Sequence, residues 1–282
     1  MFRDKKCIVT GGLGFIGSHL VRRLLNEKAH VLIIDNLTSG SFDKMNFNAE
    51  YQALDIRKID GLRFIFKGYD YIFHMAAIAR TPWCIDDPIL CYETNVIGTL
   101  NVLEAARQTG IKRVVLSSSN VVYAFDTPYR TSKEAVERLG DTYAKMYKLS
   151  VISLRYSNVY GQGQLETGPS PNVFAALRKS RRENGYLLFT GDGEQSRDYT
   201  HVSDIVEGNI KAALSDYCGT IDLCTGKNTT LNKVAEYFNC PVKYTDERPG
   251  DVKHIFQNPE QAKQILDWEA KVTLEEGIKD VL

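Results

Sequence analysis

Thr10-Gly-Gly-Leu-Gly-Phe-Ile-Gly17 decides how this chain is read. A short apolar run, Lys6–Thr10, leads into it, and a segment with helical spacing, Gly17–Asn26, leads out. Glycines 11, 14 and 17 at a strand-to-helix junction permit a tight turn, close approach of backbone to a pyrophosphate, and close packing of helix on strand. The anion then rests on the exposed N–H groups and positive dipole end of the helix. The spacing is G-x-x-G-x-x-G, a variant of the dinucleotide fingerprint, so its context must support it. Asp35 does so: it ends the next apolar run, Val31–Asp35, about 20 residues on, where a carboxylate accepts both hydroxyls of a ribose. The same charge repels a 2′-phosphate, which makes NAD the expected dinucleotide.

Outward from this motif, two hydrophobic periods alternate. Tyr69–Ala76, Arg113–Ser119 and Val151–Ser157 join the first two runs as strands rich in Val, Ile, Leu and Phe, the pattern of strands buried on both faces. Cys91–Thr109 and Ser132–Tyr147 have helical spacing. Such alternation predicts right-handed β-α-β crossovers and a parallel, doubly wound sheet. The pattern breaks after Tyr160, where Gly161 to Pro171 reads as a long loop. Beyond it come helices near Asn172–Glu183, Val202–Leu214, Asn232–Tyr237 and Pro259–Leu266, and strands near Leu187–Thr190 and Ile221–Thr225. These predict a smaller α+β portion capping the carboxyl edge of the sheet. Arg178, Lys179, Arg181 and Arg182 read as a solvated helix end, favoured by the dipole.

Composition narrows the class. The 282 residues are 43% hydrophobic and 25% charged, enough to bury a sizeable core. Lys+Arg and Asp+Glu both number 35, so no strong field favours DNA, RNA or anionic membranes. Cys7, Cys84, Cys91, Cys218, Cys224 and Cys240 stand singly, without zinc-site spacings, so no metal is expected. No stretch approaches the ~18 apolar residues of a membrane span, and the start has no signal-peptide core. The expectation is a protein of the reducing cytoplasm with no nucleic-acid or membrane partner.

A second constellation carries chemistry. Ser117-Ser-Ser119 closes one strand, and Tyr129-Arg-Thr-Ser-Lys133 opens the next helix. Positions four apart share a helix face about 6 Å apart along the axis. An ammonium there stabilises a phenolate and lowers a tyrosine pKa, making Tyr129 a usable general base. Lone Y-x-x-x-K pairs are common surface features; the Gly-rich loop and serine-tipped strand upstream give this one its weight.

With these pieces, the chain resembles an extended short-chain dehydrogenase/reductase of the NAD-dependent nucleotide-sugar epimerase and dehydratase group. The pieces are TGGLGFIG at 10–17, IIDN at 33–36, LDI at 54–56, HMAA at 74–77, Asn95 in ETNVIGT, SSSNVVY at 117–123, YRTSK at 129–133, RYSNVYG at 155–161, RDYTHVSDI at 197–205 and RPGD at 248–251. The resemblance implies an α/β fold: a Rossmann-type doubly wound parallel sheet for NAD over residues 1–160, and a smaller nucleotide-sugar-binding portion over 161–282, with the chain crossing between the two. It implies cofactor contacts from Gly11, Gly14, Phe15, Ile16, Gly17, Asp35, Asn36, Asp55, Ile56, Ala76, Ala77, Asn95, Ser117, Tyr129, Lys133 and Tyr156. Lys133 would hold the nicotinamide ribose while polarising Tyr129, and Ser119 would bond the hydroxyl that is oxidised. Asn158 and Asn172 would bind the substrate diphosphate, and Arg197 and Arg248 would neutralise it. Asp251 would accept from the nucleoside ribose, Leu187–Phe189 would line the base, and Val173 would complete the substrate site.

The resemblance also bears on the reaction. Members oxidise the sugar, usually at C4, and dehydratases or decarboxylases then use acids beside the serine. Asn120 and Val121 stand there, and neither transfers protons. A UDP-sugar 4-epimerase follows, acting on UDP-glucose and UDP-galactose or their N-acetyl counterparts, with Ile255 of intermediate size beside the sugar. The alternatives are a dehydratase, decarboxylase or C4 reductase of the group, or a non-catalytic nucleotide-sensing scaffold. Only nine residues separate Ser119 from Tyr129, shorter than is usual in the group. Arg130 adds a cation that faces either Tyr129 or solvent. A homodimer is implied through the helices of Cys91–Thr109 and Ser132–Tyr147.

Overall fold

The computed structural model describes residues 1–164, 173–247 and 252–282. The first half runs β1 (Lys6–Thr10), α1 (Phe15–Asn26), β2 (His30–Asp35), β3 (Glu50–Ala53), α2 (Ile59–Ile65), β4 (Tyr71–His74), α3 (Thr81–Asp86), α4 (Pro88–Tyr92), α5 (Gly98–Thr109), β5 (Arg113–Ser119), α6 (Pro128–Tyr147) and β6 (Val151–Tyr156). A π-helical turn, Glu93–Ile97, joins α4 to α5. The second half runs β7 (Asn158–Tyr160), α7 (Val173–Asn184), β8 (Leu187–Thr190), β9 (Ser196–His201), α8 (Val202–Leu214), β10 (Gly219–Leu223), β11 (Asn228–Thr230), α9 (Leu231–Phe238), β12 (Val242–Thr245), α10 (Glu260–Leu266) and α11 (Leu274–Gly277).

The main sheet has seven strands in the order β10-β6-β5-β4-β1-β2-β3, with every pairing parallel. Alternate residues feed opposite faces. Cys7, Val9 and Val115 pack with Leu20, Leu24 and Ile205 on one side, while Ile8, Val114 and Leu116 pack with Val102, Leu103 and Val136 on the other. The order reverses between β1 and β4, and a ligand crevice opens beyond the carboxyl ends of strands at such a switch point.

The strand expected near Ile221–Thr225 does not belong to the cap. It begins at Gly219 and pairs with β6 as the seventh strand of the main sheet, and Ile205 and Ile210 of α8 pack in the same core as α1. The cap proper consists of the sheet β11-β9-β7, the pair β12-β8 and their helices around Tyr160, Phe174, Phe189, Tyr199 and Phe238. Arg178, in the basic cluster on α7, donates to Val281 O at 3.1 Å, so that part of the cluster docks the C-terminal segment rather than facing water alone. No helix among the described residues is long and apolar enough to cross a membrane.

Candidate active site

The first βα turn is built around contacts that exclude side chains. Gly11 has φ +66, and a Cβ there would lie 2.6 Å from Ala76 N, while one on Gly17 would collide with Gly11 O. The turn is closed by Gly14 N donating to Gly11 O at 3.0 Å. Asp35, 7% exposed, accepts from Leu13 N at 3.0 Å and Leu37 N at 2.8 Å. Those two bonds fix the carboxylate at the end of β2. Asp35, Asn36, Ile56, Ala76 and Ala77 line the groove beside Gly11 and Gly14. Gly40, not singled out from sequence, closes the far side, where a Cβ would meet the Asp35 carboxylate at 2.9 Å. A backbone cradle for a diphosphate and a ribose-reading carboxylate therefore occur together, and the residues present fit NAD.

The groove continues into a cavity of about 830 Å³. Phe15, Ile16, Gly17, Ser117, Ser119, Tyr129, Lys133 and Tyr156 line it with Asn158, Val173 and Arg197. Thr127 caps α6 by accepting from Arg130 N at 3.1 Å, and Pro128 opens the helix, which sets Tyr129 in its first turn beside the end of β5. Burial pushes the Tyr129 phenol up to about 12, against a hydrogen bond from Ser119 and the positive charge of Arg80. Lys133 donates its ammonium to Ser117 O at 2.8 Å, and burial holds it down at about 8. A further cation whose field reaches the phenol is Arg80, which no motif marks. Tyr156 donates to Asn209 at 2.8 Å and so presents its ring, not its hydroxyl, to the cavity.

Several expected contacts lie elsewhere. Asn95 is 1% exposed beneath the cavity, where its amide brackets Ile78 N (2.8 Å) and Ile78 O (3.0 Å) and reaches Ser132 Oγ at 2.9 Å. It ties the loop after β4 to the helix that carries Tyr129. Asp55 is taken up by Arg57 at 2.8 Å and Asn36 at 3.0 Å, and the guanidinium holds its carboxyl down at about 2. Leu187 and Phe189 do not line the cavity: strand alternation turns both into the cap core behind Phe174 and Tyr199. Asn172, Arg248 and Asp251 lie outside the described residues.

Three further features emerge. His74 bridges Thr10 Oγ1 (2.7 Å) and Thr99 Oγ1 (3.0 Å), and burial holds its pKa down at about 3, so the ring is a neutral brace at the switch point. Asn120 links the two halves of the site, donating to Asn158 at 3.1 Å and accepting from Ser119 at 3.5 Å. Arg130 faces neither Tyr129 nor open solvent. It donates to Val122 O at 3.1 Å and pairs with Glu134 at 2.8 Å and with Asp126, bracing the nine-residue connection. Beneath that connection Tyr123 donates to Asp222, and Arg155 joins Tyr123 at 2.6 Å to Glu137, which also accepts from Ser118 at 2.6 Å.

Comparison with known proteins agrees with this geometry. The model of the NAD dependent epimerase/dehydratase family matches residues 7–219. A putative UDP-glucose 4-epimerase of Methanocaldococcus jannaschii is 32% identical over 98% of this chain and 96% of its own length. Among solved structures, UDP-N-acetylglucosamine 4-epimerase of Methanobrevibacter ruminantium, in complex with UDP-N-acetylmuramic acid, superposes with a TM-score of 0.93 at 33% identity, covering 99% of this chain and 97% of that one. UDP-glucose 4-epimerase of Thermotoga maritima with UDP-glucose does so at 0.93 and 32%, covering 98% and 97%. With a match over most of its length and a glycine-lined dinucleotide groove leading to Ser119, Tyr129 and Lys133, the chain belongs to the NAD dependent epimerase/dehydratase family.

Proposed function

We propose that the protein is an NAD-dependent epimerase that inverts C4 of a nucleotide-linked hexose. The observation that carries this reading is the inventory of the cavity: Ser119, Tyr129 and Lys133 stand together, and no Asp or Glu is among the described lining residues. Oxidation and re-reduction need only the trio. Dehydration and decarboxylation by the family's usual route need further acids, and Asn120 and Val121 occupy those places.

When bound, NAD supplies the acceptor and then the donor of one hydride, so the net redox change is zero. Ser119 orients the sugar hydroxyl, Tyr129 takes its proton and later returns it, and Lys133 sets the field in which the phenol ionises. Arg197, on the cavity wall, suits the substrate diphosphate because a guanidinium fork donates two parallel bonds to phosphate oxygens. Arg248, Asn172 and Asp251 complete that set in this reading. UDP is the proposed nucleotide, and Ile255 on the cavity wall leaves room beside the sugar for substituents of moderate size.

A homodimer belongs to the same proposal. Ile89, Tyr92 and Ile97 around α4, with Met146 and Tyr147 at the end of α6, expose large apolar surfaces on the two helical segments that would pair. All six cysteines are free thiols, which suits a reducing cytoplasm. The test is NMR of the protein with UDP-glucose, UDP-galactose and their N-acetyl counterparts. Inversion at C4 is expected; a 4-keto-6-deoxy product or release of CO2 from UDP-glucuronate would replace this reading with a dehydratase or a decarboxylase.

A further inference from the structure

Among the described residues, three basic side chains line the large cavity: Arg80, Lys133 and Arg197. The proposed reaction accounts for two. Lys133 is bonded to Ser117 O beside Tyr129, and Arg197 serves the diphosphate. Arg80 remains. Among the described residues its guanidinium donates only to the adjacent Ala79 O, at 3.3 Å, and has no ion pair. Exposed overall, Arg80 lines the cavity in company with Thr81, Trp83 and Tyr129, and burial there holds its pKa below the ordinary value.

The position of Arg80 along the cavity is set by Tyr129. Arg80 caps α3, whose Trp83 and Cys84 pack in one cluster with Tyr129, and it lines the same cavity as the phenol, so the two groups feel each other's charge. The phenol marks the reacting carbon, so Arg80 stands at the sugar end of the site. A neutral hexose filling that space would strip water from an unpaired guanidinium and return only hydroxyl oxygens. A carboxylate would meet the fork with two parallel charge-assisted bonds and cancel the charge.

We propose that Arg80 is a specificity residue that binds a carboxylate carried by the hexose on the carbon next to C4, which makes nucleotide-linked uronates the preferred substrates. The inference rests on the epimerase reading for the position of C4. It also fits the chemistry of such a substrate, because a carbonyl at C4 and a carboxylate on C5 form a β-keto acid that readily loses CO2. Losing CO2 discharges the carboxylate into the ring, and a guanidinium that stabilises the anion opposes this.

The test uses the NAD-loaded protein with UDP-glucuronate and UDP-glucose, with binding read by calorimetry and C4 inversion by NMR. The wild type is expected to favour the uronate in both Kd and kcat/KM by about 10- to 100-fold. Arg80→Gln should lower that ratio by a similar factor, and Arg80→Lys should fall between them. A wild type that prefers UDP-glucose overturns the proposal. So does an R80Q variant that loses both sugars equally while its pH profile moves, since that describes a cation acting only on Tyr129. Arg80-dependent uronate binding without inversion keeps the assignment of Arg80 and removes the epimerase reading. Inversion of both sugars at a ratio indifferent to R80Q does the reverse.

Discussion

Lys133 and Ser117 are joined by a 2.8 Å bond from ammonium to carbonyl, so the lysine one turn beyond Tyr129 is hydrogen-bonded to the end of β5 and not to the phenol itself. With the phenol pushed up to about 12 and the ammonium down to about 8, both groups sit far from their usual values for one reason, burial in the same wall. A phenol that ionises near 12 is mostly idle as a base at neutral pH, and each cation around it counts.

The kinetic consequence is an activity that climbs with pH. Lys133→Met removes one of the two nearby cations. The variant should lose about 10²-fold or more in kcat at pH 7 and regain part of it as pH rises. A pH–rate profile checks this, and a variant whose deficit stays constant across the range would separate Lys133 from the ionisation of Tyr129.

To the same substitution, stability should respond in the opposite sense. The Lys133 pKa in the fold, about 8, lies below its ordinary 10.5, so between these values the unfolded chain binds the proton more strongly. Wild-type stability therefore rises with pH through that window, and below it the full penalty of a buried charge applies. Lys133→Met should melt higher than wild type at pH 7, with the gap closing as pH approaches 10.5. Thermal melts at several pH values read this directly.

Tyr129→Phe removes the proton acceptor while keeping the ring that fills the wall. A drop of about 10²–10⁴-fold in C4 inversion is expected, with the NAD content of the purified protein unchanged. Near-normal inversion by the variant would remove Tyr129 as the base, and a wild-type protein that neither carries NAD nor converts any nucleotide sugar would favour the non-catalytic scaffold.

Gly11→Ala places a Cβ 2.6 Å from Ala76 N at a residue whose φ is +66. Both the contact and the dihedral oppose it. The variant should lose bound NAD, measured by absorbance after denaturation, and melt several degrees lower.

Glu137 is 8% exposed and accepts from Ser118 at 2.6 Å and from Arg155 at 2.8 and 2.7 Å. Glu137→Ala would leave the partly buried Arg155 guanidinium with only Asp222, at 3.9 Å, as a counter-charge among the described residues, at a cost of up to about 3–5 kcal/mol. Because Ser118 adjoins Ser119, kcat should fall as well. Denaturant titration gives the first effect, and a paired Arg155→Met change should recover part of it.

What could be read in the sequence follows from what each element buries. Lys6–Thr10 and Arg113–Ser119 were legible because strands buried on both faces are continuous apolar runs. Glu50–Ala53 was not: as the edge strand it is largely exposed and has no such run. Ser196–His201 is polar yet mostly buried, because Asp198 accepts from Thr225 and Lys227 and Ser196 bonds His254, partners distant in sequence. In the site, glycines and the Tyr129–Lys133 pair were visible because local geometry gives them their meaning. Arg80 and Asn120 acquire theirs only when β4, β5 and β7 bring them to one cavity. Leu187 and Phe189 show the converse, since alternation alone could not say which side of the strand faces the ligand.

The placement of Gly219–Leu223 beside Val151–Tyr156 has a consequence for biosynthesis. On the ribosome, six strands of the sheet are complete some 60 residues before the seventh is made, and until then Val151–Tyr156 is an uncapped apolar edge able to recruit any extended chain. A fragment cut after Tyr160 would keep that edge permanently. The nucleotide-binding half is therefore not a detachable module: its solubility depends on a strand synthesised after β7, α7, β8 and β9 of the cap.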